Sequence, residues 1–365
     1  MIALCLMMKD EAAVLPRLIE SVKSSVDLVI AMDTGSSDDS IEVLVKCCEE
    51  NYLGLELAEM DWVDFGYNRS ELMEFALTVS RQEPGVNWLL CLDADHTLNG
   101  SINERDLDPR VTSYTLRFTG ANDHATKRLV RCGPTWEWRG RVHEYLVLPH
   151  LSERTAELSW PTITHHHDGA SWAGGLTQKW RRYVELLEQD WYDPHISGPG
   201  RSRAAFYLGQ THADLQEDDI AAGWYRQAER DSAWDEEKWL AALRASVLED
   251  SMGGVLEAYN MRPSRAESLY HLAVMARKRE MYHAALMFAE QGLQVPYPAD
   301  DVLFIDRWIY DWGLQMEHSV DLWWAGRPHE ACQETVKLLS DPVWRGIPPE
   351  TVTVLEQNLQ FMPRI

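Results

Sequence analysis

The chain has 365 residues, with 34 Lys and Arg against 58 Asp and Glu, a formal charge of −24. That length suggests about two domains, and 45% hydrophobic with 25% charged residues is globular rather than disordered composition. No apolar run approaches the ~20 residues of a membrane-spanning helix, and both halves are acidic (18 basic and 32 acidic side chains over 1–195, 16 and 26 over 196–365), which disfavours nucleic acid as a partner.

Ile2 to Met7 is an apolar run suited to a strand buried on both faces. Met1–Met8 lacks a basic flank and Lys9-Asp10-Glu11 follows at once, so this start reads as a strand rather than a secretory signal. Glu11 to Val22 has apolar residues at helical spacing (Val14, Leu15, Leu18, Ile19, Val22). Leu28 to Met32 predicts a second strand, a helix follows from Ser40, and Leu55 to Met60 predicts a third strand. Arg69 to Ser80 reads as a helix and Trp88 to Leu92 as a fourth buried strand. Such alternation predicts an α/β domain whose mainly parallel sheet binds ligands at the strands' carboxyl ends. Six scattered cysteines without a CxxC pair point to reduced thiols, a cytoplasmic location and no zinc site.

Three of those strand ends are polar: Lys9-Asp10-Glu11, Asp33-Thr34-Gly35-Ser36 and Asp93-Ala94-Asp95. GxGxxG, GxxxxGK[ST] and GxSxG motifs are all missing, which removes support for a dinucleotide fold, a P-loop or a hydrolase elbow. Asp93 and Asp95 would repel each other unless a cation or a proton intervenes. Oxygen ligands of this kind suit Mg²⁺ or Mn²⁺ that completes its shell with water and phosphate.

These segments carry a resemblance. Leu6 to Glu11, Asp33 to Asp38, Asp64 to Arg69 and Trp88 to Asp95, in that order, resemble a family-2 glycosyltransferase of the GT-A nucleotide-sugar fold. Gly140-Arg141-Val142-His143-Glu144 and His165-His166-His167-Asp168-Gly169 extend it to members with helical repeats behind the transferase domain. His96 stands where the family usually has an acidic residue. The resemblance implies a nucleoside diphosphate sugar, a UDP-sugar, as donor, with Mn²⁺ or Mg²⁺ as cofactor. It also implies that Asp33 and the backbone of Met8, Lys9 and Asp10 meet the base, Asp93 faces ribose and metal, Asp95 ligates the metal, and Arg69 pairs with the diphosphate. A surface ion pair with Glu71 or Glu74 is the structural alternative for Arg69.

Arg141 to Tyr145 reads as a strand edge, which would turn His143 and Glu144 to opposite faces. His143 is then a candidate third metal ligand or a satisfied structural histidine, and Glu144 a candidate general base. Asp123 is a further catalytic candidate, and His165 or His167 would line the acceptor pocket. Three consecutive histidines on a strand cannot all face one ion. Trp136 and Trp138 alternate with Glu137, so both rings share one face, as sugar-stacking walls or as core. Seven basic residues between Arg110 and Arg141 form a local exception to the acidic balance: an anion site, or a solvated hairpin face.

The remainder is helical. Lys179 to Trp191 forms an amphipathic stripe, Asp193 to Gly200 reads as a linker, and the division is placed at 1–195 and 196–365. Leu208-Gly209 with Ala221, Tyr225 and Ala228 has the small–large spacing of a tetratricopeptide-like hairpin. A looser unit follows at Leu272-Ala273, Ala284 or Ala285, Phe288 and Gly292, and a third from about Asp306 to Leu339. The expected function is a metal-dependent glycosyltransferase acting on a protein side chain or soluble glycan. Transfer to modified viral DNA and an inactive, partner-binding scaffold are the alternatives. A homodimer through the tryptophan-rich helices is expected.

Overall fold

In the computed structural model residues 1–119, 124–149, 151–172, 175–340 and 346–362 are described. Strand and helix alternate through β1 (Ile2–Met8), α1 (Leu15–Val22), β2 (Leu28–Asp33), α2 (Ser40–Glu50), β3 (Gly54–Glu59), α3 (Phe65–Gln82) and β4 (Trp88–Cys91). Short strands follow: β5 (His96–Asn99), β6 (Ser113–Phe118), β7 (His124–Arg131), β8 (Glu137–Arg139), β9 (Tyr145–Val147) and β10 (Thr155–His165). The main sheet has the order β3-β2-β1-β4-β7-β6-β10-β5, while β8 and β9 form a separate hairpin. β1–β2, β2–β3, β1–β4 and β6–β10 are parallel, and the other three pairings are antiparallel. The sheet is therefore mixed, with its parallel half first.

Alternation along β1 makes two cores. Ile2, Leu4, Leu6 and Met8 pack with Leu15, Leu18, Ile19 and Leu44 of α1 and α2, while Ala3 and Cys5 pack with Leu72, Met73 and Ala76 of α3. Register places Met8 beside Asp33 and Cys5 beside Cys91, so β1 and β2 end side by side while β4 ends three residues short of them. α3 begins four residues earlier than its apolar pattern suggests. Asp64 caps it, accepting from Tyr67 N at 2.8 Å, a side-chain bond that apolar periodicity does not register.

Arg141 to Tyr145 is not a continuous strand edge. It turns between β8 and β9, with Gly140 and His143 both at positive φ (93° and 52°), so strand alternation does not govern His143 and Glu144. Trp136 is core, 3% exposed, with its ring N–H donated to Arg131 O, and walls no sugar site. Asp123 lies outside the described residues.

Helices α4 (Leu176–Tyr192) and α5 (Gly198–Asp214) follow, so residues 193–197 of the expected linker connect them and Gly198 to Gly200 open α5. Two compact units divide after Tyr207. The second contains α6 (Asp218–Asp231), α7 (Asp235–Leu248), α8 (Met252–Met261), α9 (Glu267–Lys278), α10 (Tyr282–Gly292), α11 (Leu314–Trp324), α12 (Pro328–Leu339) and α13 (Pro349–Leu359). Small residues let these helices approach: a Cβ on Gly209 would lie 2.7 Å from the Tyr225 ring, and one on Gly292 2.6 Å from Leu314. Among the described residues no helix is long and apolar enough to cross a membrane.

Candidate active site

The loops after β1 and β2 are tied to each other. Asp33 Oδ2 accepts from the backbone N–H groups of Gly35 (3.0 Å) and Ser36 (2.9 Å), and Oδ1 from the Ser36 hydroxyl. Asp10 accepts from Ser37 N at 2.6 Å and Asp38 N at 3.2 Å; the Ser37 bond above all holds its carboxyl below the usual range. Met8 is buried, Lys9 is exposed, and Met8 O receives Thr34 N at 2.9 Å. Asp10 and Asp33 thus fix the shape of the two loops.

At the end of β4 the two aspartates take different partners. Asp93 Oδ1 accepts from Arg69 Nη2 at 2.6 Å, and Arg69 Nε lies 2.6 Å from Glu144 Oε1 at an angle that makes an ion pair but no hydrogen bond. Arg69 is 7% exposed with Trp138 over its guanidinium at 5.3 Å, so it is neither a surface pair with Glu71 or Glu74 nor free for a diphosphate. Burial pushes the Asp93 carboxyl up, but Arg69, with His96 and Arg128, pulls it far below the usual carboxylate range.

Asp95 faces elsewhere. Its Oδ2 lies 3.0 Å from His165 Nε2 at the end of β10, where His165 and His96 pair across β10 and β5. Burial raises the Asp95 carboxyl, but His165 and His96 together bring it below its ordinary range. Ligand atoms of Asp95, His96 and His165 lie within 4.8 Å of one another. His96 Nδ1 accepts the Asp93 N–H at 3.1 Å, which assigns the ring proton to Nε2 and takes that nitrogen out of service as a ligand. Burial holds His96 neutral, lowering it to about 3. The Asp95 carboxylate can only accept, so His165 Nε2 carries the proton in this contact. Unlike His96, His165 has no N–H donated to its Nδ1 among the described residues, so the proton can move there. Asp95 and His165 are therefore the pair that fits a cation, a nitrogen–oxygen pair suiting Mn²⁺ better than Mg²⁺.

Several neighbours carry no motif signal. Glu11 accepts from Ala170 N at 3.2 Å, and a Cβ on Gly169 would touch both its carboxylate (3.1 Å) and Asp95 (3.3 Å). Burial, against the Ala170 bond and with Asp95 and Asp93 near, raises Glu11 to about 7. Lys179 and Tyr183 reach this site from α4: the Asp95 charge acts on Lys179, and those of Glu144 and Asp93 act on Tyr183. Ala94 is buried between the aspartates.

His143 is not gathered with these carboxylates. Its ring stacks on Tyr207 at 3.9 Å and meets Tyr183 edge-on, lining a cavity of about 480 Å³ with Tyr145, Leu187 and Arg203. Glu144, bound to Arg69, is not a free base. The basic cluster is largely internally neutralised: Arg110 pairs with Asp108, Arg117 with Glu157, Lys127 with Glu153, Arg139 with Glu137 and Arg141 with Asp190.

No family model matches the chain. A TPR repeat-containing protein of Synechococcus elongatus is 25% identical over 317 residues, covering 82% of this chain and 67% of that protein. SunS, an SPbeta prophage-derived glycosyltransferase of Bacillus subtilis, is 25% identical over 147 residues, 37% of this chain. The chain resembles a glycosyltransferase joined to helical repeats. It spans 32% of SunS. Among solved structures, S. aureus TarS 1-349 in complex with UDP-GlcNAc aligns over 71% of this chain and 89% of its own (10% identity, TM-score 0.37). MamA aligns over 47% and 85% (15% identity, TM-score 0.34).

Proposed function

We propose that the first unit is a metal-dependent glycosyltransferase, moving a sugar from a nucleoside diphosphate sugar, a UDP-sugar, to a protein side chain or soluble glycan. One observation carries this reading: at the end of β4, Asp93 is locked onto a buried arginine while Asp95, 3.0 Å from His165, stays available to a cation. Similarity to SunS supports transferase chemistry in general. Bound there, Mn²⁺ or Mg²⁺ would act as a Lewis acid on the departing diphosphate. Asp95 and His165 would hold it, and Arg69 and Glu144 would act as positioning residues that keep Asp93 turned toward the ribose. The Asp33-ordered loop and the backbone at Met8–Asp10 would border the base.

Thermal-shift titration of the full chain with UDP, GDP and TDP, each with and without MnCl₂, tests this. One nucleotide should raise the melting temperature, more with metal than without, and the metal-dependent part should vanish in Asp95→Ala. No stabilisation by any of the three would sink the proposal.

A further inference from the structure

A departing diphosphate needs positive charge beyond a single divalent ion, and Arg69 does not offer it, since two carboxylates already occupy its guanidinium. Lys179 lies in the first turn of α4, half-buried, and among the described residues no carboxylate lies within ion-pair distance of its ammonium. Aromatic faces surround it instead: Nζ is 3.3 Å from the centre of the Trp172 ring, 5.5 Å from Trp180 and 5.6 Å from Tyr183. An aromatic quadrupole holds a cation without cancelling its charge. The ammonium therefore keeps a full unit of charge for an anion while its position is fixed.

That position borders the candidate cation pair. Lys179 feels the charge of Asp95 and acts electrostatically on both His167 and His143. His167 in turn lies 3.8 Å, ring to ring, from His165, and Trp172 packs edge-on against both histidines. Burial weakens the ammonium's hold on its proton, to about 8, which leaves it charged at neutral pH and short of solvent contacts that a phosphate oxygen would replace. Arg128 is the other cation near Asp93, but it lies over Phe118 at 5.2 Å and donates to Thr126. Its charge contributes to holding Asp93 ionised.

We infer that Lys179, caged by Trp172, Trp180 and Tyr183, is the group that takes a phosphate of the donor's diphosphate, opposite the Asp95–His165 pair. This rests on the donor-site reading above. Calorimetric titration of the full chain with UDP, UMP and uridine in MnCl₂ tests it in wild type, Lys179→Met and Lys179→Arg.

In Lys179→Met, UDP should bind about ten- to a hundredfold more weakly and UMP less affected, with uridine unchanged. Lys179→Arg should recover most of the loss, and the fall of UDP affinity with added KCl should be shallower in Lys179→Met than in wild type. Uridine binding and a circular-dichroism melt separate these effects from misfolding. UDP bound equally well by wild type and both variants overturns the assignment while leaving the donor site standing. Wild type that binds no nucleotide overturns the donor-site reading, and this inference with it.

Discussion

Arg69 is the residue whose surroundings fix the rim. It sits almost without solvent between Asp93 and Glu144, with Trp138 above. Removing one partner from a buried ionic group leaves uncompensated charge, so Arg69→Met should cost about 3–5 kcal/mol in urea denaturation; a loss under ~1 kcal/mol would show that the pair is not desolvated. Asp95 contrasts with it, because its carboxylate has His165 as its side-chain partner. Asp95→Asn should change stability by less than ~1 kcal/mol yet weaken Mn²⁺ binding at least about tenfold, read by the free-Mn²⁺ resonance signal; unchanged binding would move the cation elsewhere. Asp93, Asp95 and Arg69 were legible because each ends or follows a recognisable strand or turn. Their partners were not: His165 meets Asp95 across 70 residues and Glu144 meets Arg69 through a turn that strand alternation misassigns. Such pairings arise from sheet order, which local spacing does not encode.

Elements are held in register by missing side chains. Gly66, in the first turn of α3, lies so near the Gly140 carbonyl that a Cβ would overlap its oxygen, and Phe65 N donates to Arg141 O at 3.2 Å. This contact seats α3 against the turn carrying Glu144, one helical turn from Arg69. Gly66→Ala should therefore destabilise by roughly 1–3 kcal/mol in chemical denaturation, although alanine is the better helix former; a gain would mean the turn yields freely. Gly209 repeats the logic among the helices, where the Tyr225 ring fills the space of a methyl group. That interlock was visible in the Gly209–Tyr225 spacing. The α7–α8 pair escaped the repeat pattern because its buried apolar positions mix large with small: Trp239, Leu240 and Leu243 stand among Ala241, Ala242, Ala245, Val255 and Ala258.

Across the whole molecule, the two units carry buried titratable groups of opposite sense. His143 in the first unit is neutral, pushed down to about 3 by burial and by Arg203 and Lys179. Unfolded histidine titrates near 6.5, so between about pH 6.5 and 3 the unfolded chain takes up a proton that the folded one refuses, and stability falls with acidification. Asp321 on α11 is the reverse case. It is fully buried, neither carboxylate oxygen has a hydrogen-bond partner, Glu317 lies one turn before it, and Arg277 Nε is 3.6 Å away. Burial and Glu317 raise it to about 8 despite Arg277. Its stabilising contribution is complete below the unfolded value near 4 and drains away as pH climbs through 8. Asp321→Asn should thus stabilise the chain at pH 8, on the order of 2 kcal/mol, with the gain fading toward pH 4. His143→Phe should stabilise it at pH 4.5 and change little at pH 7.5. Denaturation of the full chain at four pH values reads both. If the two variants shifted stability in parallel with pH, one of these groups would have to be exposed to solvent in the folded protein.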